Sequence, residues 1–459
     1  MHTNTVSMNS TDNFRNQIST ALVFALFIFT VAGFTPVHSA SCGSIFSTVP
    51  AHAADIAPRY MEGPDGIYRE AFYSSGNILR YKEELLDLIA VANGSSSVTL
   101  MFTGDLMCLK GQQYAALDGK KYDFTTSYQY VKKIFDEADL CVGNLESLIS
   151  SSYPLTKDQV NAANGSPQCN GPVAYLRDLR RAGFDVLVTA NNHCCDWGAD
   201  GINETIDMLD RYRFCHTGTR KSDEDVPNYR IISVRGITVG IISTTHLVNQ
   251  RGSLTSDEMS QMVNCYSEKS VASQIKAARK AGAEFIVVYA HWGIENTHDL
   301  VDYQKKDAAA IAEAGADLII GSHPHCLQHS EELSTTDGRT VPVIYSMGNF
   351  VSSMAREINN DTIILKVKLK RVQGKAHIES CTYIPCHVLS SGFVITPVSF
   401  ADADVCSAFQ AKKPLIIPGK NQFTPSSSQA QALAAAGKRI RAIFTDMKEE
   451  TALFTAVSP

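Results

Sequence analysis

The chain has 459 residues, of which 44% are apolar and 19% charged, with a net charge of −6; these values exclude a disordered chain, and without a long Lys/Arg stripe they give no support to nucleic-acid binding. The length accommodates one large domain or two to three ordinary ones. Twelve cysteines are scattered through apolar runs rather than spaced as a framework and read mainly as small buried residues, with a Cys381–Cys386 bridge, or one from Cys169 to a distant partner, left open for an exported chain.

Ala21–Phe34 is apolar, follows Arg15 and is succeeded by small residues at Ser39, Ala40 and Ser41, which is the pattern of a secretory signal peptide. The run is short for a transmembrane helix. An uncleaved anchor and lipidation at Cys42 are alternatives, although Ser-Ala-Ser before Cys42 lacks the usual aliphatic residue of a lipoprotein signal. Residues 1–41 are therefore assigned as signal peptide or signal anchor, and the expected location is extracytoplasmic, either secreted or membrane-anchored. Residues 42–95 form an N-terminal segment with a helix expected over Asn77–Ala92, where Leu85, Leu86, Leu88 and Ile89 make an apolar side.

From Val98 apolar runs alternate with amphipathic stretches. Strands are expected at Val98–Thr103, Asp139–Val142, Asp185–Ala190, Phe285–Ala290, Ala316–Ile320 and Val341–Ser346, and helices at Tyr128–Asp136, Val173–Ala182 (closed by Gly183), Gly201–Tyr212, Val271–Ala281 and Gln304–Ala314. Tyr229–Val234 and Ile237–Thr244 flank Arg235-Gly236 as a hairpin, and Thr362–Arg371 with Ala376–Pro385 read as an antiparallel pair. This alternation predicts parallel βα units in a domain over residues 96–390, followed by a C-terminal extension, residues 391–459, that ends in a helix.

The strand ends carry a consistent chemistry. Asp105, Glu146, Asn192, His193, His291, His323 and His325 each follow an apolar run, at the edge of the sheet where open α/β folds place their ligands. Taken singly, these residues have ordinary explanations: a turn at Asp105, a helix cap at Glu146, turn formers at Asn191-Asn192, a hydrogen-bonded core histidine at His291. Taken together, carboxylate, amide and imidazole ligands suit divalent Zn, Mn or Fe. Seven ligands exceed the needs of one tetrahedral ion and fit a pair roughly 3.5–4 Å apart. Pro324 biases His323 towards an extended backbone, in which His323 and His325 project from one side. Asp196 and Asn191 are candidates to orient His193, Glu295 is a candidate acid/base group, and Asn349 is a candidate lining residue. Trp197 and Trp292 adjoin proposed ligands and either wall the site or pack in the core. Cys194-Cys195, Cys108 and Cys326 also lie close in sequence to ligands, as buried filler or as thiols able to bind soft ions.

The ordered series GD (104–105), GNLE (143–146), ANNHxxDWG (190–198), HWGIE (291–295), GSHPHxLQ (321–328) and YSMGNF (345–350) resembles the bacterial CapA family, associated with poly-γ-glutamate capsule synthesis, over about Val98 to Ser353. That family is similar in turn to the calcineurin-like metallophosphoesterases. The resemblance implies a four-layer α/β/β/α sandwich and two divalent metal ions. Asp105 stands at the first Asp-x-His motif, Glu146 with Asn144 at the bridging Asp, Asn192-His193 at the Asn-His pair, His291 at the lone His, and His323/His325 at the final Gly-His-x-His. Two departures stand out: Met107 replaces the first histidine, and Glu146 replaces the bridging aspartate. The implied function is a metal-dependent hydrolase or transferase acting on poly-γ-glutamate or a related anionic cell-surface polymer. The resemblance also leaves room for a non-catalytic assembly factor that holds the polymer or its synthase complex at the membrane through the N-terminus. A plain exported phosphoesterase is the weakest reading.

Overall fold

A computed structural model describes residues 97–159, 167–412 and 424–451, together with the backbone of short strands at Tyr60–Glu62, Tyr68–Glu70, Tyr73–Ser75 and Ile78–Tyr81. The targeting segment lies outside the described residues. Among the described residues, no helix is long and apolar enough to cross a membrane.

The strands of the two large sheets are β1 (Tyr73–Ser75), β2 (Ile78–Tyr81), β3 (Ser97–Leu106), β4 (Leu140–Leu145), β5 (Val186–Val188), β6 (Cys215–Thr217), β7 (Tyr229–Val234), β8 (Ile237–Thr245), β9 (Phe285–His291), β10 (Leu318–Ser322), β11 (Leu327–Ser334), β12 (Thr340–Met347), β13 (Asn349–Val351), β14 (Asp361–Val372), β15 (Lys375–Leu389), β16 (Val394–Pro397) and β17 (Lys448–Glu449). The first sheet has nine strands in the order β6-β5-β4-β3-β14-β15-β16, with β13 joined to β3 and β17 to β15. The second has eight, in the order β11-β12-β10-β9-β8-β7-β2-β1. Each contains a parallel block, β3 to β6 in one and β8, β9, β10 and β12 in the other. Antiparallel strands flank both blocks.

Strict alternation of apolar side chains stacks the sheets. In β9, Phe285, Val287 and Tyr289 join a central core with Val98, Leu100 and Phe102 of β3, while Ile286, Val288 and Ala290 face away. That outer face is covered by Val271 and Ile275 of the helix Glu268–Lys280 and by Ala308 and Ile311 of the helix Asp302–Glu313. The outer face of the first sheet, with Met101, Cys141 and Leu187, packs on Leu176 and Leu179 of the helix Ala174–Ala182. The result is helix, sheet, sheet, helix: the expected four-layer α/β/β/α sandwich. Strands buried on both faces read as continuous apolar runs, which is why they are so plain in the sequence.

Three local expectations change. Ile78–Tyr81, placed in a helix by its sequence, is a strand paired with β7 and β1; the sheet edge overrides local preference, and the rest of that proposed helix lies outside the described residues. The single helix expected over Tyr128–Asp136 is two short turns, Thr125–Tyr128 and Lys132–Phe135. Tyr128 and Tyr130 are both fully buried, and residues two apart do not share a helix face. The described cysteines are all free, including Cys169, Cys381 and Cys386. The hairpin is as expected, with Arg235 and Gly236 at φ 46° and 77°, the left-handed pair that a tight two-residue turn requires. The C-terminal residues are built into the sandwich: β16 and β17 extend it through β15, and the helix Ser427–Ile443 gives Leu433 to the outer core and Ala436 and Ile440 to the central one.

Candidate metal centre

Because the blocks are parallel, their carboxyl ends lie on one edge, and the two sheets meet there. Asp105 is near the end of β3, Glu146 follows β4, Asn192 and His193 follow β5, His291 ends β9, and His323 and His325 follow β10. All seven are buried. Two glycines permit this closeness. A Cβ on Gly104 would run into the carbonyl oxygen of Gly348, and one on Gly321 into that of Tyr345. Asp105 N–H in turn donates to Gly348 O at 3.0 Å, which fixes β13 and Asn349 beside Asp105.

Ligand atoms of Asp105, Glu146 and His291 lie within 4.8 Å of one another, and so do those of Glu146, His323 and His325. Glu146 is common to both groups. Its Oε1 is 3.7 Å from His291 Nε2 and 3.7 Å from His325 Nε2. Asp105 accepts from Asn144 Nδ2 at 2.8 Å and from His323 N–H at 3.2 Å, and its Oδ2 is 3.6 Å from His325 Nδ1. The imidazoles are held from behind. His291 Nδ1 meets Ser322 Oγ at 2.9 Å, and its Nε2 faces Asn192 Oδ1 at 2.9 Å. His325 Nδ1 meets Asn349 Oδ1 at 2.9 Å, so the amide oxygen accepts from Nδ1–H and Nε2 is left for the cluster.

The expected route to the His323/His325 arrangement is corrected. Neither residue is extended: their φ values are 98° and 57°, in the left-handed region. Such backbone costs about 1–3 kcal/mol per residue and persists where surrounding structure over-determines it. The turn, rather than strand alternation, sets the two rings 5.8 Å apart and brings His323 within 4.9 Å of His291.

Neither carboxylate oxygen of Glu146 meets a hydrogen-bond donor, and His323 Nδ1 has no partner, although all three atoms are buried. Buried acceptors left in this state are costly and are the atoms a cation would satisfy. The electrostatics agree. Burial raises the pKa of Asp105 above its ordinary value, and burial together with the Asp105 charge holds Glu146 well above its own. Burial, followed by the neighbouring imidazoles, drives His291 well below the usual histidine value and His323 down to about 3. Neutral imidazoles are the metal-ligating form, and a divalent cation would favour ionised carboxylates. The residues therefore fit a divalent metal centre with Glu146 shared.

The model of the family described as "Bacterial capsule synthesis protein PGA_cap" matches residues 99–354, more than half the chain and every residue of this cluster. The chain belongs to that family. It is similar to the PGA biosynthesis protein CapA of Bacillus subtilis (strain 168), at 28% identity over 275 residues, 59% of this chain and 67% of that protein. It is also similar to the capsule biosynthesis protein CapA of Bacillus anthracis, at 26% over 279 residues, 60% of this chain and 65% of that one. The chain thus spans about two thirds of the length of these relatives. Among solved structures it is similar to the calcineurin-like phosphoesterase YfkN from Bacillus subtilis, with 14% identity, a TM-score of 0.40, and coverage of 75% of this chain and 98% of the other. A second is the 5'-nucleotidase precursor from Thermus thermophilus, with 15% identity, a TM-score of 0.40, and coverage of 76% and 59%.

Within this PGA_cap domain the other candidates separate. His193 is not one of the ligands grouped with Glu146, although it is near enough to act electrostatically on Glu146, His291 and His323; its Nδ1 is 2.7 Å from Asp196 Oδ2 and its backbone N–H donates to Asn191 Oδ1 at 3.1 Å. Burial disfavours imidazolium at His193, yet the Cys169 and Asp196 charges lift its pKa well above the ordinary value. Asn191 also donates to Asn144 Oδ1 and Leu145 O, which ties the β5 loop to β4. Glu295 is not brought in: it is exposed in the turn after His291. Met107 is buried in the core; its N–H bonds Val351 O, and its carbonyl accepts from Gln112 and Tyr175. Trp292 is fully buried and donates to Tyr345 O at 2.9 Å, a packing role. Trp197 is half-buried and stacks on Tyr153 at 4.7 Å. Cys194 and Cys195 fill an apolar cluster with Ile202, Ile206 and Met262. Sequence reasoning passed over Ser322, which backs His291, and considered Cys169, which adjoins His193, only as one end of a possible disulfide. The Ser in Gly-Ser-His was a visible signal for the first; Cys169 has no local signature.

Proposed function

We propose that this PGA_cap protein is an exported, metal-dependent hydrolase or transferase acting on poly-γ-glutamate or a related anionic cell-surface polymer. The observation that carries it is the fully buried Glu146, whose oxygens lack donors between His291 and His325. Asp105, Glu146, Asn192, His291, His323 and His325 would hold two divalent cations, of Mn, Zn or Fe type. Bound there, the ions supply Lewis-acid polarisation of a phosphoryl or acyl oxygen. His193, its Nδ1 fixed by Asp196, is suited to hold or deliver a proton at Nε2. Asn349 and Ser322 keep the ligating rings in place. The chain's net charge of −6 offers a polyanion no bulk attraction, so attraction would be local to the bound cations. The names of the Bacillus relatives favour a capsule polymer, and Ala21–Ser41 favours export, with secretion or N-terminal membrane attachment as the two outcomes.

One observation favours a second reading, a non-catalytic assembly factor for the polymer or its synthase: Met107 occupies the place of a ligand and is absorbed into the core. The test is elemental analysis of purified protein, paired with turnover of γ-glutamyl peptides and phosphoesters by wild type and His193→Ala. Bound metal with turnover that His193→Ala abolishes supports the hydrolase. Absence of metal in the wild type overturns it, and bound metal without turnover on any substrate transfers the assignment to the assembly factor.

A further inference from the structure

A second constellation joins His193 and Asp196 of the Asn-Asn-His segment to Cys169, which lies outside the motif series. Cys169, His193 and Asp196 each offer a ligand atom within 4.8 Å of the other two, and all three are buried, at 0%, 5% and 1% exposure. We propose that they form a separate position for a soft divalent cation of the zinc or cadmium class. This binding claim goes beyond the hydrolase reading and stands without it.

The geometry is assembled around Asp196. Its Oδ2 accepts from Cys169 N–H at 2.6 Å and lies 2.7 Å from His193 Nδ1. One carboxylate oxygen therefore fixes both the backbone that carries the thiol and the plane of the imidazole. The other oxygen, Oδ1, is buried and has no partner. Hydrogen bonding within the trio leaves that atom unexplained; a cation explains it. The ligand chemistry is distinct from that of the Glu146 groups. Those offer only oxygen and nitrogen, whereas this one includes sulfur, and thiolate selects zinc-like ions over harder ones. Thiolate, carboxylate and neutral imidazole together carry two negative charges, which match a divalent ion. Tetrahedral zinc with bonds of ~2.0–2.3 Å places its ligands ~3.3–3.8 Å apart; the trio's ligand atoms lie within 4.8 Å of one another, and three ligands leave one coordination position open. Ligation requires a thiolate and a neutral imidazole, so binding would release to solvent whatever protons Cys169 and His193 carry in the metal-free protein. Of the neighbouring cysteines, Cys195 Sγ lies 3.7 Å from Gln250 O and Cys108 Sγ 3.8 Å from Gln113 Nε2, and neither is grouped with the trio.

The experiment uses the full chain, stripped with chelator and loaded with cobalt(II) or cadmium(II). The expected result is a thiolate-to-metal charge-transfer band that is lost in Cys169→Ser and retained in the Cys194→Ala/Cys195→Ala double variant and in Glu146→Gln. A band that survives Cys169→Ser, or one that disappears with Glu146→Gln, overturns the proposal, as does the lack of any band in metal-loaded wild type. Circular-dichroism melting establishes that Cys169→Ser folds. A zinc-edge absorption spectrum of wild type is the measurement that needs no variant: a sulfur scatterer at about 2.3 Å is expected, and a shell of nitrogen and oxygen alone overturns the assignment.

Discussion

The two ends of the same parallel strands treat a carboxylate in opposite ways. At the amino ends, Asp139, Asp185 and Asp317 each precede a strand and accept the N–H of a residue entering the neighbouring one: Thr99 at 2.8 Å, Cys141 at 2.9 Å and Ile286 at 2.7 Å. Each also has an arginine, Arg235, Arg180 or Arg279. At the carboxyl ends, neither oxygen of Glu146 meets a donor, and Asp105, which accepts from Asn144 and His323 N–H, faces imidazoles in place of an arginine. The first set aligns strands; the second waits for charge from outside the chain. Similar composition at the two ends thus conceals a difference between satisfied polar groups, which stabilise a fold, and unsatisfied ones, which it must tolerate.

The largest effect should come from the satisfied end. Asp185→Ala takes away the carboxylate 3.1 Å from the buried Arg180, which keeps its bond to Phe184 O, and removes the acceptor of Cys141 N–H; it should cost about 3–5 kcal/mol in denaturant unfolding while leaving metal content unchanged. A loss below about 1 kcal/mol, the scale of an exposed pair, would break the comparison. At the other end, Glu146→Gln should weaken divalent-metal affinity by more than the ~10–100-fold that follows loss of an orienting partner, read by calorimetric titration. Asn349→Ala, which frees His325 Nδ1, should fall within that ~10–100-fold range, and a wild-type affinity would remove its orienting role.

The pH dependence sharpens the contrast further. Burial, then the Asp105 charge, raises the pKa of Glu146 above its ordinary 4.5, so metal-free native protein keeps a proton that the unfolded chain has lost. That contribution is complete below pH 4.5 and declines as pH rises towards the raised value. In thermal melts of metal-free protein, the difference between wild type and Glu146→Gln should shrink or reverse in that direction, and a saturating divalent cation should restore wild-type stability at neutral pH. A difference independent of pH would contradict the raised value. The smallest effect belongs to the exposed Glu295: Glu295→Gln should change stability by no more than about 0.5 kcal/mol and leave metal affinity at the wild-type level.

Much of this was legible in the chain. Residues 285–290 and 318–320 are apolar throughout because both faces are buried, and His291 and His323 come soon after them in plain sequence order. Edge elements were less legible. β11, with the sequence LQHSEELS, exposes alternate polar residues and looks like a loop, and β13 is a strand only because Asn349 and Val351 pair with β3. The exposed position of Glu295 and the core positions of Trp292 and Met107 were not readable, since a residue's nearness to a ligand in sequence says little about which way its side chain faces at a turn.

The sequence by itself determined the order of ligand-bearing strand ends, because each depends on a local apolar run followed by a polar residue. Only the tertiary structure decided which of those residues meet. Convergence of β3, β4 and β5 with β9 and β10 requires two sheets to stack and glycines to admit a neighbouring carbonyl. The left-handed turn at His323 and His325 overrides what Pro324 suggests locally. The meeting of Cys169 with His193 across 24 residues is likewise a property of packing, invisible to any spacing rule.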